Sequence, residues 1–279
     1  MTINQLERDL YCLRNSGYIV LRNFVDSESV VAIENSCIAF EDEVEQYKKK
    51  HEVLLSHSWP LRTTRCLFTI STELQDFIML GRIQKIVHNY LKSPVLRDSL
   101  MQTNMPDPHN VKRGLNADIS YHRDTLWADG EIYPQYLHVF LLLTDFTTNS
   151  GATIVVPGSH RNKEPGYYFK NSDPRKSQEG VDYRVYEQSY FPSATQLLAP
   201  RGSIILMDPM MIHSQGINIT PSPRRLINTT FRSSKIKGQP PLLNTREIAK
   251  NHSRVPIRDD FLALLENDDI LPCEYGPLR

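Results

Sequence analysis

The chain has little of several things that would place a protein at once. Only four of its 279 residues are cysteine (Cys12, Cys37, Cys66 and Cys273). They are scattered, without the close spacing of a zinc site or the pairing of a disulfide framework. Reduced, buried thiols in a cytoplasmic protein are the expectation. Neither sign of charge is in excess, since Lys+Arg and Asp+Glu both number 32. A nucleic-acid footprint needs a basic surplus, so no nucleic-acid partner is expected. Mean hydropathy is −0.41, and no apolar run approaches the length of a membrane span, so no membrane partner is expected. The first residues lack the basic stretch and apolar core of a secretory signal. Repeats, low-complexity tracts and clear linkers are also missing. A single domain spanning 1–279 is the simplest reading, with enough chain to bury a substantial core.

What is present falls into three parts. A helical buttress is expected over about 1–95. Ile3, Leu6, Leu10 and Leu13 recur at helical spacing, and Gly17 fits the stop of that helix. Tyr18–Leu21 reads as a short strand. Asp26-Ser27-Glu28 looks like the start of a second helix, running to about Lys48. A further helix is expected from about Gln75 to Leu91, before Ser93-Pro94. A β-core is expected over about 96–233, with strands at Leu96–Met105, Tyr136–Thr144, Gly202–Asp208 and Leu226–Phe231. The tail, 234–279, is Pro-rich and then carries a short helix at Asp259–Leu265.

The chemistry gathers around His122-Arg123-Asp124, which follows the alternating run Leu115–Tyr121. In a strand, residues i and i+2 share a face. His122 and Asp124 can then face one metal ion while Arg123 faces away. Alone, an H-x-D is more often part of a polar surface loop. Other pieces follow in order: Asn149-Ser150-Gly151, Val156-Pro157-Gly158-Ser159-His160, Met211-Ile212-His213-Ser214-Gln215-Gly216, and Arg224 eleven residues past His213. Two histidines and one carboxylate on one side of a metal form the ligand set of non-haem Fe(II) oxygenases. An arginine nearby offers a planar fork for a carboxylate co-substrate.

This ordered set, together with the opening Asn15-Ser16-Gly17-Tyr18-Ile19-Val20-Leu21-Arg22-Asn23-Phe24, resembles the phytanoyl-CoA hydroxylase-like (PhyH) Fe(II)/2-oxoglutarate dioxygenases. The resemblance runs from about Asp9 to Arg232. It implies a mainly β fold with flanking α-helices, built on a double-stranded β-helix (jelly-roll, cupin-like) core. It implies Fe(II), 2-oxoglutarate and O2 as cofactors. His122, Asp124 and His213 would hold the iron. Arg224 would clamp the far carboxylate of 2-oxoglutarate, with its neighbour Arg225 the alternative. Related halogenases lack the metal carboxylate, so Asp124 favours hydroxylation, although desaturation, epoxidation and ring formation use the same oxidant.

Several further residues have two readings each. Gln102 and Asn104 share parity and either point into the barrel towards 2-oxoglutarate or face solvent. Phe140 matches by spacing an aromatic of the co-substrate pocket, and also reads as plain core. Gln215 stands where the namesake enzyme has a hydroxyl residue touching the co-substrate. His138, on the most apolar strand, reads as a satisfied core histidine, and the resemblance gives His160 a structural role. The polar segment 161–196 holds Tyr167, Tyr168, Tyr183, Tyr186 and Tyr190, and its length suits a substrate lid. Trp59 and Arg62, in the stretch Ser56–Phe68, and Trp127 are candidate substrate walls. A small-molecule substrate, most consistent with a specialised metabolite, is expected, with an acyl-CoA as the alternative within the family. A non-catalytic β-barrel binding protein is the competing class. A monomer or homodimer is expected.

Overall fold

The computed structural model describes residues 4–50, 61–106, 121–124, 134–162, 191–235 and 245–265. The chain enters through helix α1, Gln5–Ser16, opened by a capping box in which Asn4 accepts from the Leu6 backbone and the Glu7 side chain bonds back to the Asn4 N–H. Gly17 closes it with φ 85 and donates to the Leu13 carbonyl. Only a residue without Cβ suits that left-handed cap, and here a Cβ would also sit 2.6 Å from His160 Nδ1. Strand β1 (Tyr18–Leu21) and helix α2 (Ser27–Lys50) follow, then strand β2 (Leu61–Thr64).

The helix expected from Gln75 to Leu91 is two helices. Helix α3 spans Thr72–Ile78 and helix α4 spans Gly81–Tyr90. Ser71 caps the first by accepting from the Leu74 N–H. Leu80 turns extended between them, at ψ 125. The Gln84 amide donates to the Ile78 carbonyl and so satisfies a helix end left open by the break. Apolar spacing continues across the break, which hides it from periodicity.

Strands β3 (Pro94–Asn104), β4 (Tyr136–Leu142), β5 (Thr153–Val155), β6 (Thr195–Gln196), β7 (Ile204–Met207), β8 (His213–Gln215) and β9 (Arg224–Ser233) build the jelly-roll. A six-stranded sheet has the order β1-β7-β4-β9-β3-β2, and a three-stranded sheet the order β6-β5-β8. All the pairings between these strands are antiparallel. Helices α5 (Thr245–His252) and α6 (Asp259–Leu262) follow. The first of these was not foreseen in a tail that reads as Pro-rich. The alternating run at 115–120 lies outside the described residues.

The larger sheet is buried on both faces, which explains why β4 reads as the most apolar strand. Its outer face carries Leu137, Val139, Leu141, Ile204, Leu206, Ile227 and Phe231, packed against Leu10, Leu13, Ile33, Phe77 and Ile86 of the helices. Its inner face carries Phe140, Leu142, Ile205, Met207 and Leu226, packed against Ala152, Val155, Leu197 and Met211. A register shift in β3 between Leu96 and Asp98 reverses parity along that strand. Leu96 therefore joins the outer core opposite Phe231, whereas Leu100, Gln102 and Asn104 pair with Asn228, Leu226 and Arg224 on the inner face. Cys37 is buried, and burial pushes its thiol up to about 12. Cys12 is exposed, against the expectation of buried thiols. Among the described residues, no helix is long and apolar enough to cross a membrane.

Candidate metal and co-substrate site

The H-x-D is pinned to the strand carrying the second histidine. His122 and His213 form an antiparallel bridge and exchange both backbone hydrogen bonds at 2.9 Å. The Asp124 N–H then donates to the Pro209 carbonyl at 3.0 Å. Ligand atoms of His122, Asp124 and His213 all lie within 4.8 Å of one another. The rings of the two histidines are 4.4 Å apart between centroids. His213 Nδ1 donates to the Met211 carbonyl at 2.9 Å, which leaves the Nε2 lone pair for a metal. Arg123 faces away from the cluster. It is 4% exposed, and its guanidinium donates to the carbonyls of Met210, Ser159 and Asn162. It thereby ties the H-x-D to the segment leading into His213 and to the turn after Pro157.

Burial pushes Asp124 up, but its histidine neighbours, His213 foremost and then His122 and His138, outweigh this and hold the carboxyl well below its ordinary range. A carboxylate held ionised between two imidazoles suits a divalent cation, and the donor set fits iron.

Arg224 is 2% exposed and lies on the inner face opposite Asn104. Phe146 covers it, with the guanidinium carbon 4.9 Å from the ring centroid. Its Nε has no hydrogen-bond partner among the described residues. Burial pushes the guanidinium down, to about 9. Arg225 points the other way and faces Glu34 at 3.8 Å, so the register separates the two arginines. Asn104 donates to the Gly216 carbonyl at 3.1 Å. That bond carries the end of β8 to the level of Arg224.

Gln102 faces the same interior and Gln215 pairs opposite Thr153. Phe140 belongs to the inner core and stacks on His138 at 5.6 Å. His160 is fully buried in the turn after Pro157, donates from Nε2 to the Arg14 carbonyl, and is pushed down by burial. Arg62 pairs opposite Thr103 through its backbone. Trp59, Trp127 and residues 163–190 of the expected lid, with its five tyrosines, lie outside the described residues. His138 is the satisfied core histidine expected, buried and bonded at both ring nitrogens, and the partner of its Nε2, at 2.8 Å, is Asp124 Oδ2. Its apolar neighbours hid that contact.

The model of the phytanoyl-CoA dioxygenase (PhyH) family matches residues 13–226, well over half of the chain. The chain belongs to that family. Among its relatives is ectoine dioxygenase of Nocardia farcinica (strain IFM 10152), 28% identical over 175 residues. That match covers 59% of this chain and only 56% of the relative. Among solved structures, HygX from Streptomyces hygroscopicus, with nickel and 2-oxoglutarate bound, superposes with a TM-score of 0.54 at 16% identity, covering 84% of this chain and 89% of that one. The non-heme alpha ketoglutarate dependent carbocyclase SnoK from nogalamycin biosynthesis gives 0.59 at 14% identity, covering 84% and 85%. These structural likenesses show the jelly-roll fold. The PhyH match takes in all three candidate metal ligands and Arg224.

Proposed function

We propose that this PhyH protein is an Fe(II)/2-oxoglutarate-dependent dioxygenase that hydroxylates an unactivated C–H bond of a small specialised metabolite in the cytoplasm. The observation that carries the reading is the His122–Asp124–His213 cluster, with a carboxylate among its three ligands. Arg224 supports it, because a buried guanidinium lacking a carboxylate partner among the described residues is the expected receptor for the far carboxylate of 2-oxoglutarate. A non-catalytic barrel has no need of either feature.

The residues divide the work. His122, Asp124 and His213 would hold the iron and leave its remaining positions open. Bound iron, with 2-oxoglutarate and O2, supplies the oxidation that turns R–H into R–OH while the keto acid becomes succinate and CO2. Arg224 would orient the co-substrate. Gln102 and Gln215 would present amide donors, and Phe140 would wall the pocket. The inner apolar residues exclude water from the reacting centre. Ectoine, in the name of one relative, and hygromycin B, bound in a structure of HygX, are small metabolites rather than acyl-CoA thioesters. Trp59, Arg62, Trp127 and the 161–196 segment remain the proposed substrate walls and lid.

The test is O2-dependent succinate release, measured over a panel of polycyclic, glycosidic, amino-acid-derived and acyl-CoA compounds. Turnover with the first three groups supports the reading. Turnover confined to acyl-CoA compounds would replace the substrate class. No release above the substrate-free rate across the panel, with iron and 2-oxoglutarate bound, would favour the binding protein.

A further inference from the structure

We infer that His138 is a positioning residue for the metal carboxylate: it holds Asp124 through Oδ2 and is itself held by Thr230, so that Oδ1 is the oxygen presented to the metal. The inference rests on the proposed metal site and adds a residue to it.

The chain of contacts is short and closed. His138 lies on β4 directly opposite Thr230 on β9, and both face the barrel interior. His138 Nδ1 is 2.9 Å from Thr230 Oγ1, and Nε2 is 2.8 Å from Asp124 Oδ2. An ionised carboxylate only accepts, so Nε2 must carry hydrogen whatever the state of Nδ1. A nitrogen that carries hydrogen and points at a carboxylate cannot also bind a metal. His138 is thus set apart from His213, whose Nε2 is the unprotonated nitrogen. With one hydrogen on the ring, Thr230 donates to Nδ1 at 2.9 Å in preference to Asn228 Oδ1, which lies farther from its hydroxyl, at 3.4 Å. Phe140 stacks on the imidazole with planes 21° apart and removes its remaining freedom to turn.

Asp124 needs this support. Its side chain is 31% exposed, whereas that of His138 is 8% exposed. Among the described residues, the Asp124 backbone makes one hydrogen bond, to the Pro209 carbonyl. The carboxylate could otherwise rotate between His122 Nε2, 3.2 Å from Oδ1, and His213 Nε2, 3.5 Å from Oδ2. A partner fixed in the barrel wall ends that choice.

The experiment is anaerobic Co(II) titration of the full chain, with the melting temperature of each metal-free protein measured alongside. The proteins are the parent, His138→Ala, His138→Gln, Thr230→Val and Thr230→Ser. Loss of a partner of this kind typically weakens metal binding about 10–100-fold. His138→Ala is expected to show that loss at an unchanged metal-free melting temperature. His138→Gln, which keeps an N–H donor, should recover most of it. Thr230→Val should weaken binding less than His138→Ala, and Thr230→Ser should match the parent. Parent-like Co(II) affinity in a folded His138→Ala overturns the inference. If that variant does not fold, parent-like affinity in Thr230→Val overturns it instead. A parent protein that binds no Co(II) would bring down the metal site itself, and this inference with it.

Discussion

His122 and His213 face each other across a single antiparallel bridge and exchange both backbone hydrogen bonds at 2.9 Å. The two imidazoles are therefore placed by main chain rather than by side-chain packing. Replacing either ring should remove metal without unmaking the bridge. His122→Ala and His213→Ala are each expected to retain less than about a tenth of the parent's bound iron, given the small ligand set. Their metal-free melting temperatures should stay close to that of the parent. Iron analysis after desalting, with a thermal melt, checks both.

Arg224 predicts opposite effects on stability and function. Its guanidinium is buried with no anionic partner among the described residues. Arg224→Met should stabilise the ligand-free protein, because removing an uncompensated buried charge relieves its desolvation. A gain of about 1 kcal/mol would raise the melting temperature by about 2–4 °C. The same change should weaken 2-oxoglutarate binding by about 100-fold, the equivalent of one strong charged hydrogen bond at about 3 kcal/mol. Arg225→Met should leave 2-oxoglutarate affinity near that of the parent, since Arg225 faces Glu34. Calorimetric titration and melting of the three proteins test this.

Arg123 holds three backbone carbonyls from two other segments. Arg123→Met removes the donor from the buried Met210 carbonyl, at about 1–3 kcal/mol, and from the part-buried bonds to Ser159 and Asn162, at less for each. A fall in melting temperature of about 5 °C or more is expected. Arg123→Lys should not restore it, because an ammonium lacks the planar fork that spans the three carbonyls. Full recovery by lysine would show that charge alone matters at this position.

Two glycines offer a contrast. Gly151 has φ 77, and a Cβ there would lie 2.4 Å from Asn104 Nδ2 and 2.7 Å from the Gly216 carbonyl. Gly151→Ala should destabilise the protein and loosen the contact that brings Gly216 to the level of Arg224, so 2-oxoglutarate affinity should fall with it. Gly81, at the start of α4, has nothing within 4 Å of a built Cβ. Gly81→Ala should be neutral or stabilising by up to about 1 kcal/mol. Melting curves and 2-oxoglutarate titration of both variants check the pair.

The fold was legible where local rules act alone. Gly17 announced the end of α1, and the apolar run of β4 announced a core strand. The metal cluster was legible because its residue types are rare in that order. What escaped depends on register between distant strands. The choice between Arg224 and Arg225 waits on their pairing with Asn104 and Thr103. The reversal of parity at Leu96 and Asp98 comes from a bulge that no spacing shows. His138 meets Thr230 across 92 residues of chain, on a strand whose other members are apolar. The break between α3 and α4 escaped for a different reason. Apolar spacing runs on across it, and only Ser71, a capping residue, shows that the first helix starts earlier than its apolar spacing suggests.

The most direct test of the central claim is an anaerobic titration of the protein with Fe(II) and 2-oxoglutarate, followed through the weak visible charge-transfer band that forms when the keto acid chelates the metal. The parent protein should develop the band and saturate at about one equivalent of each, as one ligand set requires. Asp124→Ala should lose it through the metal, and Arg224→Met should shift its half-saturation to higher 2-oxoglutarate. A folded, iron-loaded parent that develops no band at any 2-oxoglutarate concentration would contradict the account.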